Sequence, residues 1–358
     1  MMNQNKEILK LSEVFNPQML VLAREFGEMT QTQLAKLLGV SQGTISKIEE
    51  GIKECDEEFL KSISDVLDRP KNFFTQYHQF NLTLEGSFRR KSSLSKKLLR
   101  TTDARMNIER LQINQLVNSC SLELEDPPAC NPDEYSKGAS EIAKLMRQHL
   151  GIPRGPVENL VEKIERTGCI VRFIDFGTLL VDGFAVLTNT PIIFVNKTMP
   201  ADRRRLTLAH EFGHVIMHRG VVRPNMEDEA FEFAGEFLMP AQEIKSSLYP
   251  LNIEKLARLK LKWKVSMAAI LQHSLRIGAI KERYFRYLRT QLSKHGYNKN
   301  EPYEDSIDLE RPELLTKIFR HYKNDLEYSI EDMESLLSAS QAEIKSLNRP
   351  NHERFSVV

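Results

Sequence analysis

The sequence predicts an α+β protein that is predominantly helical, and three observations carry the expectation. Apolar residues recur at helical spacing through most of the chain. Short β-branched and aromatic runs are confined to the stretch between Cys169 and Asn196. A composition of 41% hydrophobic and 28% charged residues is that of ordinary globular domains, and 358 residues allow two or three of them. The expected organisation is a helical bundle over 1–78 and a basic helical connector passing into an acidic, proline-containing linker over 79–135. A second domain with a small antiparallel sheet is expected over 136–300, and a C-terminal helical extension over 301–358.

Several classes are excluded at the outset. No apolar run approaches the ~18 residues of a membrane span, and the opening MMNQNKEILKLSEVF lacks the apolar core of a signal peptide, so a cytoplasmic protein without a membrane partner is expected. Cys55, Cys120, Cys130 and Cys169 are scattered with no CxxC pair, which suggests neither a disulfide framework nor a cysteine zinc site. The formal net charge of +1 points by itself to no nucleic acid and no membrane.

The bundle announces itself in TQTQLAKLLGVSQGTISKIEEG, residues 30–51. Thr30 with Gln33 forms a capping box, Gly39 supplies a tight turn, Ser41 caps a second helix and Gly51 ends it. Leu34, Ala35, Leu38, Val40, Ile45 and Ile48 fall where two steeply crossed helices would meet, which is a helix-turn-helix. Residues 14–75 resemble the XRE/Cro-type repressor domain. By that resemblance Gln42, Thr44 and Lys47 face the DNA groove and Gln31 meets a phosphate. Gly43 stands where that family often places a base-reading side chain, so direct readout is expected to rest on few contacts.

Residues 1–75 carry nine Lys and Arg against twelve Asp and Glu, an adverse balance for phosphate binding. The basic run Arg89, Arg90, Lys91, Lys96, Lys97 and Arg100 could supply the missing positive charge or simply form a solvated helix face. SLELEDPPACNPDEY, residues 121–135, then reads as a linker or a domain edge, and the main domain boundary is expected there.

Helical periodicity returns over 136–167, interrupted by GIPRGP. CIVRFIDF, DGFAVL and PIIFVN, separated by Gly177, Gly183 and a Thr188-Asn189-Thr190 turn, predict the antiparallel sheet. Next comes LTLAHEFGHVIMH, residues 206–218. On a helix His210 and His214 lie one above the other and can present two imidazole nitrogens to one ion at ~2.0–2.1 Å. Glu211, turned by ~100°, reaches a water on that ion rather than the ion itself. His218 lies eight residues and ~12 Å from His210 along the axis, too far to share that ion, and is read as a histidine at a helix C-terminus. Leu206, Ala209, Gly213 and Met217 would pack on a core, with Gly213 admitting a close neighbour. A third ligand is sought in MEDEAFEFAGEFLMP, residues 226–240, where Glu227 and Glu229 both precede an apolar helix face.

LTLAHEFGHVIMH followed by ExEAxxFAxxFLMP is similar to the ImmA/IrrE metallopeptidases, a likeness that extends over about 136–310. It implies a zincin-like metallopeptidase domain in which the glutamate of an E-x-x-A element completes the zinc site. Glu227 with Ala230 fits that element, and Glu229 is the alternative. Phe231 departs from the family's usual Asn. Taken with the helix-turn-helix, the resemblance implies a DNA-binding regulatory zinc metallopeptidase. Its catalytic base is Glu211, its metal ligands are His210, His214 and Glu227, and its protein substrate is a repressor or regulator. A homodimer is allowed for. The other reading is a transcription regulator or antitoxin-like protein whose metal domain senses a signal or partner without cutting. His273, His295 and Tyr297 have the chemistry of an oxyanion donor, and a strand beside the metal helix could pair with an extended substrate. LARLKLKWKVSMAAILQHSL, residues 256–275, has the spacing of a second helix-turn-helix but is read foremost as a helix pair closing the domain.

Overall fold

The computed structural model describes residues 14–76, 95–120, 124–220 and 222–348. Its elements run in chain order as α1 (Pro17–Phe26), α2 (Gln31–Leu37), α3 (Gln42–Glu49), α4 (Glu57–Leu67), α5 (Lys96–Ser119), α6 (Gly138–His149), α7 (Leu160–Glu165), β1 (Ile170–Ile174), β2 (Gly183–Val186) and β3 (Ile192–Asn196). There follow α8 (Ala201–Met217), α9 (Met226–Leu238), α10 (Ile253–Trp263), α11 (Met267–Arg276), α12 (Glu282–Lys294), α13 (Leu314–Asn324), α14 (Ile330–Leu337) and α15 (Gln341–Asn348). Among the described residues no helix is long and apolar enough to cross a membrane. The described residues separate into two units, 14–120 with 315–348, and 124–314.

In the first unit the local signals act as their chemistry demands. The Thr30 hydroxyl accepts from Gln33 N–H at 3.2 Å while the Gln33 side chain accepts from Thr30 N–H at 2.9 Å, so two N–H groups at the start of α2 are satisfied. Ser41 accepts from Thr44 N–H at 3.1 Å and starts α3. Gly39 takes φ +69° between the two helices, a conformation that costs glycine little. Leu34, Ala35, Ile45 and Ile48 are buried in one core with Met19, Leu20, Phe73 and Phe74.

Two expected separate segments join this unit. Ala104, Ile108 and Leu111 of α5 belong to the same core, so the helix of the connector is part of the bundle. From the C-terminal extension, the Tyr322 hydroxyl donates to Leu116 O at 2.8 Å, and the Arg69 guanidinium meets Glu343 at 2.5 Å while lying over the rings of Phe26 and Phe73. Arg89, Arg90 and Lys91 of the basic run lie outside the described residues.

The second unit corrects the sheet. Its strand order is β1-β3-β2, with β3 antiparallel to β2 but parallel to β1, pairing Ile170 with Ile192 and Ile174 with Asn196. The expected antiparallel sheet is therefore mixed. Burial gives the reason: every residue of β1 and β3 is buried, as for strands covered on both faces, whereas β2 alternates and stands at the edge. Residues 124–135, read as a linker or a domain edge, open this unit and are pinned to it. Cys130 N–H donates to Ile216 O at 2.8 Å, and Arg219 grips Asp126 and the carbonyl of Pro127.

Helix α8 packs on β2 and β3, α9 packs on α8, and α6 packs on α9. The α8–α9 contact is aromatic, with Phe212 about 6 Å from the rings of Phe233 and Phe237. Helices α10 and α11 close the domain, and in them Lys260 and Trp263 are buried rather than displayed. The Lys260 ammonium lies 2.7 Å from Asp202 in the first turn of α8 and 3.0 Å from Glu301, whose carboxylate also accepts the Met267 and Ala268 N–H groups at the start of α11. That use of the lysine fits a structural helix pair.

Candidate metal centre and nucleic-acid interface

On the first unit the residues expected to meet DNA form a linked row. Arg24, buried between α1 and α3, donates to both oxygens of Glu49 at 2.6 and 3.0 Å and to Met29 O at 2.9 Å. Gln31 donates to Glu49 at 2.7 Å, and Gln42 donates to Gln31 at 2.7 Å. A buried ion pair thus holds two surface amides in register. The Thr44 hydroxyl lies 3.0 Å from that of Ser41, and Lys47 is exposed on the same helix. Gly43 is exposed and has only Ser41 Oγ near where a Cβ would stand. Lys97 and Arg100 of the basic run line a cavity of about 670 Å³ with Gln31 and Gln42, but Glu28 lies 3.0 Å from Lys97 and Glu25 lies 4.0 Å from Arg100.

On the second unit, three donor groups from two helices converge. His210 and His214 stand one turn apart on α8 with their Nε2 atoms 3.2 Å apart. Glu227, in the first turn of α9, brings one carboxylate oxygen to 3.5 Å from His210 Nε2 and the other to 3.8 Å from His214 Nε2. The close approach of the helices makes this possible. A Cβ on Gly213 would come within 3.1 Å of the Phe233 ring and 3.4 Å of Ala230 Cα, so the glycine of HEFGH and the alanine of E-x-x-A set the crossing that carries Glu227 in.

The donors fit zinc. Ligand atoms of a tetrahedral zinc held at ~2.0–2.1 Å stand roughly 3.3–3.4 Å apart, and the observed separations bracket that value, with all three groups within 4.8 Å of one another. Burial, with the neighbouring His210 and His218 adding to it, lowers the pKa of His214 to about 3, so its ring is neutral and a lone pair is available. Glu229 stands elsewhere: one oxygen is 2.9 Å from His218 Nε2 and the other 3.7 Å from Arg223.

Glu211 is buried beside this group. Desolvation raises its pKa to about 7; His210 opposes the shift, Glu227 adds to it, and a hydrogen bond from the Ala185 backbone of β2 again opposes it. Phe231 lies against the His210 ring with centroids 4.1 Å apart, and His210 Nδ1 has no hydrogen-bond partner among the described residues. Phe231 also borders a cavity of about 590 Å³ lined by Arg203, Thr207, His273, Arg289 and Tyr297. Of the expected oxyanion donors, His273 is buried with Nε2 committed to Met239 O at 2.8 Å, and His295 is exposed and stacked on Tyr297. Only Tyr297 and His273 border the cavity.

Sequence reasoning missed the surroundings of His218. It is buried at the end of α8, with Nδ1 2.9 Å from Nδ1 of His214. The signal was the i, i+4 spacing already noted for the metal pair, continued by one more turn.

Residues 164–274 match the family model for the M78 peptidases, the IrrE N-terminal-like domain, and residues 22–74 match that of a helix-turn-helix. Comparison with curated proteins and with solved structures gave no match. By these two matches, and by the residues just described, the chain carries an XRE-type helix-turn-helix domain followed by a metallopeptidase-like domain of the IrrE/ImmA kind.

Proposed function

We propose that this protein is a DNA-binding regulator whose second domain is a zinc endopeptidase acting on a repressor or regulator protein. The observation that carries the reading is the convergence of His210, His214 and Glu227 within 4.8 Å, with the Glu211 carboxylate buried alongside. A zinc ion at that position would supply a Lewis acid for the peptide carbonyl and lower the pKa of water towards ~7. Glu211 is the proton carrier: its carboxylate takes the proton of the attacking water and hands it to the departing amine. The hydrogen bond from Ala185 holds that carboxylate against β2.

The same strand supports the substrate assignment. β2 pairs only with β3 among the described residues, so its outer edge has no neighbouring strand, and the backbone of Ala185 within it bonds to Glu211. An extended peptide added there would gain backbone hydrogen bonds and place a carbonyl near Glu211 with little demand on side chains. Gln31, Gln42, Thr44 and Lys47 are the proposed DNA contacts, with a second copy of the chain as an allowed partner on paired half-sites.

The test is a comparison of protein N-termini in cells carrying the wild-type chain or Glu211→Gln. A new N-terminus in a regulator protein is expected with the wild type alone. Identical sets of N-termini, with equal zinc content in the two purified proteins, would remove the protease reading in favour of a metal-binding sensor.

A further inference from the structure

We propose that His218 and Glu229 are positioning residues that fix the tautomer of His214, so that its Nε2 lone pair points towards the metal position; the inference rests on the metal-site reading above. The contacts form an unbroken line. Glu229 Oε2 lies 2.9 Å from His218 Nε2, His218 Nδ1 lies 2.9 Å from His214 Nδ1, and His214 Nε2 faces His210 Nε2 and Glu227. His218 is 1% exposed, and both of its ring nitrogens are used in this line.

Proton counting gives the line a direction. A carboxylate only accepts, so the proton of a neutral His218 sits on Nε2 and leaves a lone pair on Nδ1. A contact between two ring nitrogens needs one proton and one lone pair, so His214 supplies the proton from Nδ1. Its Nε2 is then unprotonated, the state a metal ligand requires. The opposite arrangement sets a lone pair of His218 against the carboxylate at hydrogen-bond distance and points His214 Nε2–H at the metal position.

Glu229 is itself placed from outside the line. Its second oxygen lies 3.7 Å from Arg223, which also holds Asn131 and Asp133. His210 has no such support, since its Nδ1 is buried without a partner among the described residues. The relay therefore acts on one of the two histidines, and its origin is the third histidine of LTLAHEFGHVIMH, which ligates nothing itself.

Two measurements on the full chain test the relay. The first is the ring-nitrogen chemical shifts of His214 and His218 in zinc-free protein, which report tautomers. The second is zinc affinity by competition with a chromogenic chelator. Glu229→Leu is expected to mix the His214 tautomers and weaken zinc binding by roughly 10–100-fold, the range for outer partners of metal ligands. Glu229→Gln retains an acceptor oxygen and should restore most of both, and it serves as the milder variant if Glu229→Leu folds poorly. A Glu229→Leu protein that loses thermal stability while keeping the wild-type tautomer and zinc affinity overturns the proposal. So does a wild-type His214 that carries its proton on Nε2. The tautomer readout needs neither zinc nor cleavage, so a protein that cuts nothing still decides the relay.

Discussion

In the helix-turn-helix, the side chains expected to meet DNA stand at the surface in a polar row that begins at a buried ion pair, Arg24 with Glu49. At the candidate metal centre the corresponding groups are largely sunk between two helices, and their positions follow from how closely those helices pack. The first arrangement spreads its effect over several weak contacts, each of which can be lost singly. The second concentrates it, since a donor moved by an ångström leaves the set.

The largest effect that would sharpen this contrast is Glu227→Ala. Zinc affinity should fall by at least about 100-fold, beyond the range for outer partners, in a chelator competition. A fall of only a few-fold would mean that the carboxylate is peripheral. Next, Ile45→Ala in the core under α3 should cost about 2–5 kcal/mol, read by chemical denaturation followed by circular dichroism.

His273 gives a pH-dependent test. Burial lowers its pKa to about 4, so the unfolded chain takes up the proton first as pH falls. Stability should decline from about pH 6.5 to about 4, by up to about 3 kcal/mol for this residue, and level off below. His273→Leu, which has no titrating ring, should show a shallower decline in a pH series of melting curves. The smallest effect is expected at the DNA face. Lys47→Ala should weaken binding to a mixed-sequence duplex by a few-fold and reduce the salt slope by about 1, measured by fluorescence anisotropy. A complete loss of binding would show that this face, too, depends on a single group.

The same contrast governs what could be read from the sequence. Thr30, Gln33, Ser41 and Gly39 act within a few residues of themselves, so the helix-turn-helix was legible as written. The stacking of His210 over His214 on one helix was legible for the same reason, whereas Glu227 was singled out only through the resemblance of its E-x-x-A element to the ImmA/IrrE metallopeptidases; its approach to the histidines follows from Ala230 packing beneath Gly213. The parallel pairing of β1 with β3 was missed, although its signal was present: IVRFI and IIFVN run apolar without strict alternation, the pattern of strands buried on both faces. Turn residues were weighed above that pattern. Nothing local announced that residues 124–135 would be pinned by Arg219 and Arg223, or that α5 and the C-terminal helices would share the first core. Those contacts join residues tens to hundreds of positions apart, where charge and apolarity fit many partners equally well.

The buried cluster of Lys260, Asp202 and Glu301 bears on where the peptidase-like domain physically ends. The family match stops at 274, yet a fragment cut there loses Glu301, and with it one of the two carboxylates beside a buried ammonium and the acceptor for two N–H groups opening α11. Removing a partner from a buried ion pair costs about 3–5 kcal/mol, a large part of a domain's stability. A cut at 300, on the expected boundary, does the same by a single residue. Glu310 reaches back in the same way to Arg205 and to the N–H of Val161. A fragment intended to keep α8 in place must therefore run past 310, and shorter fragments should express as unstable protein.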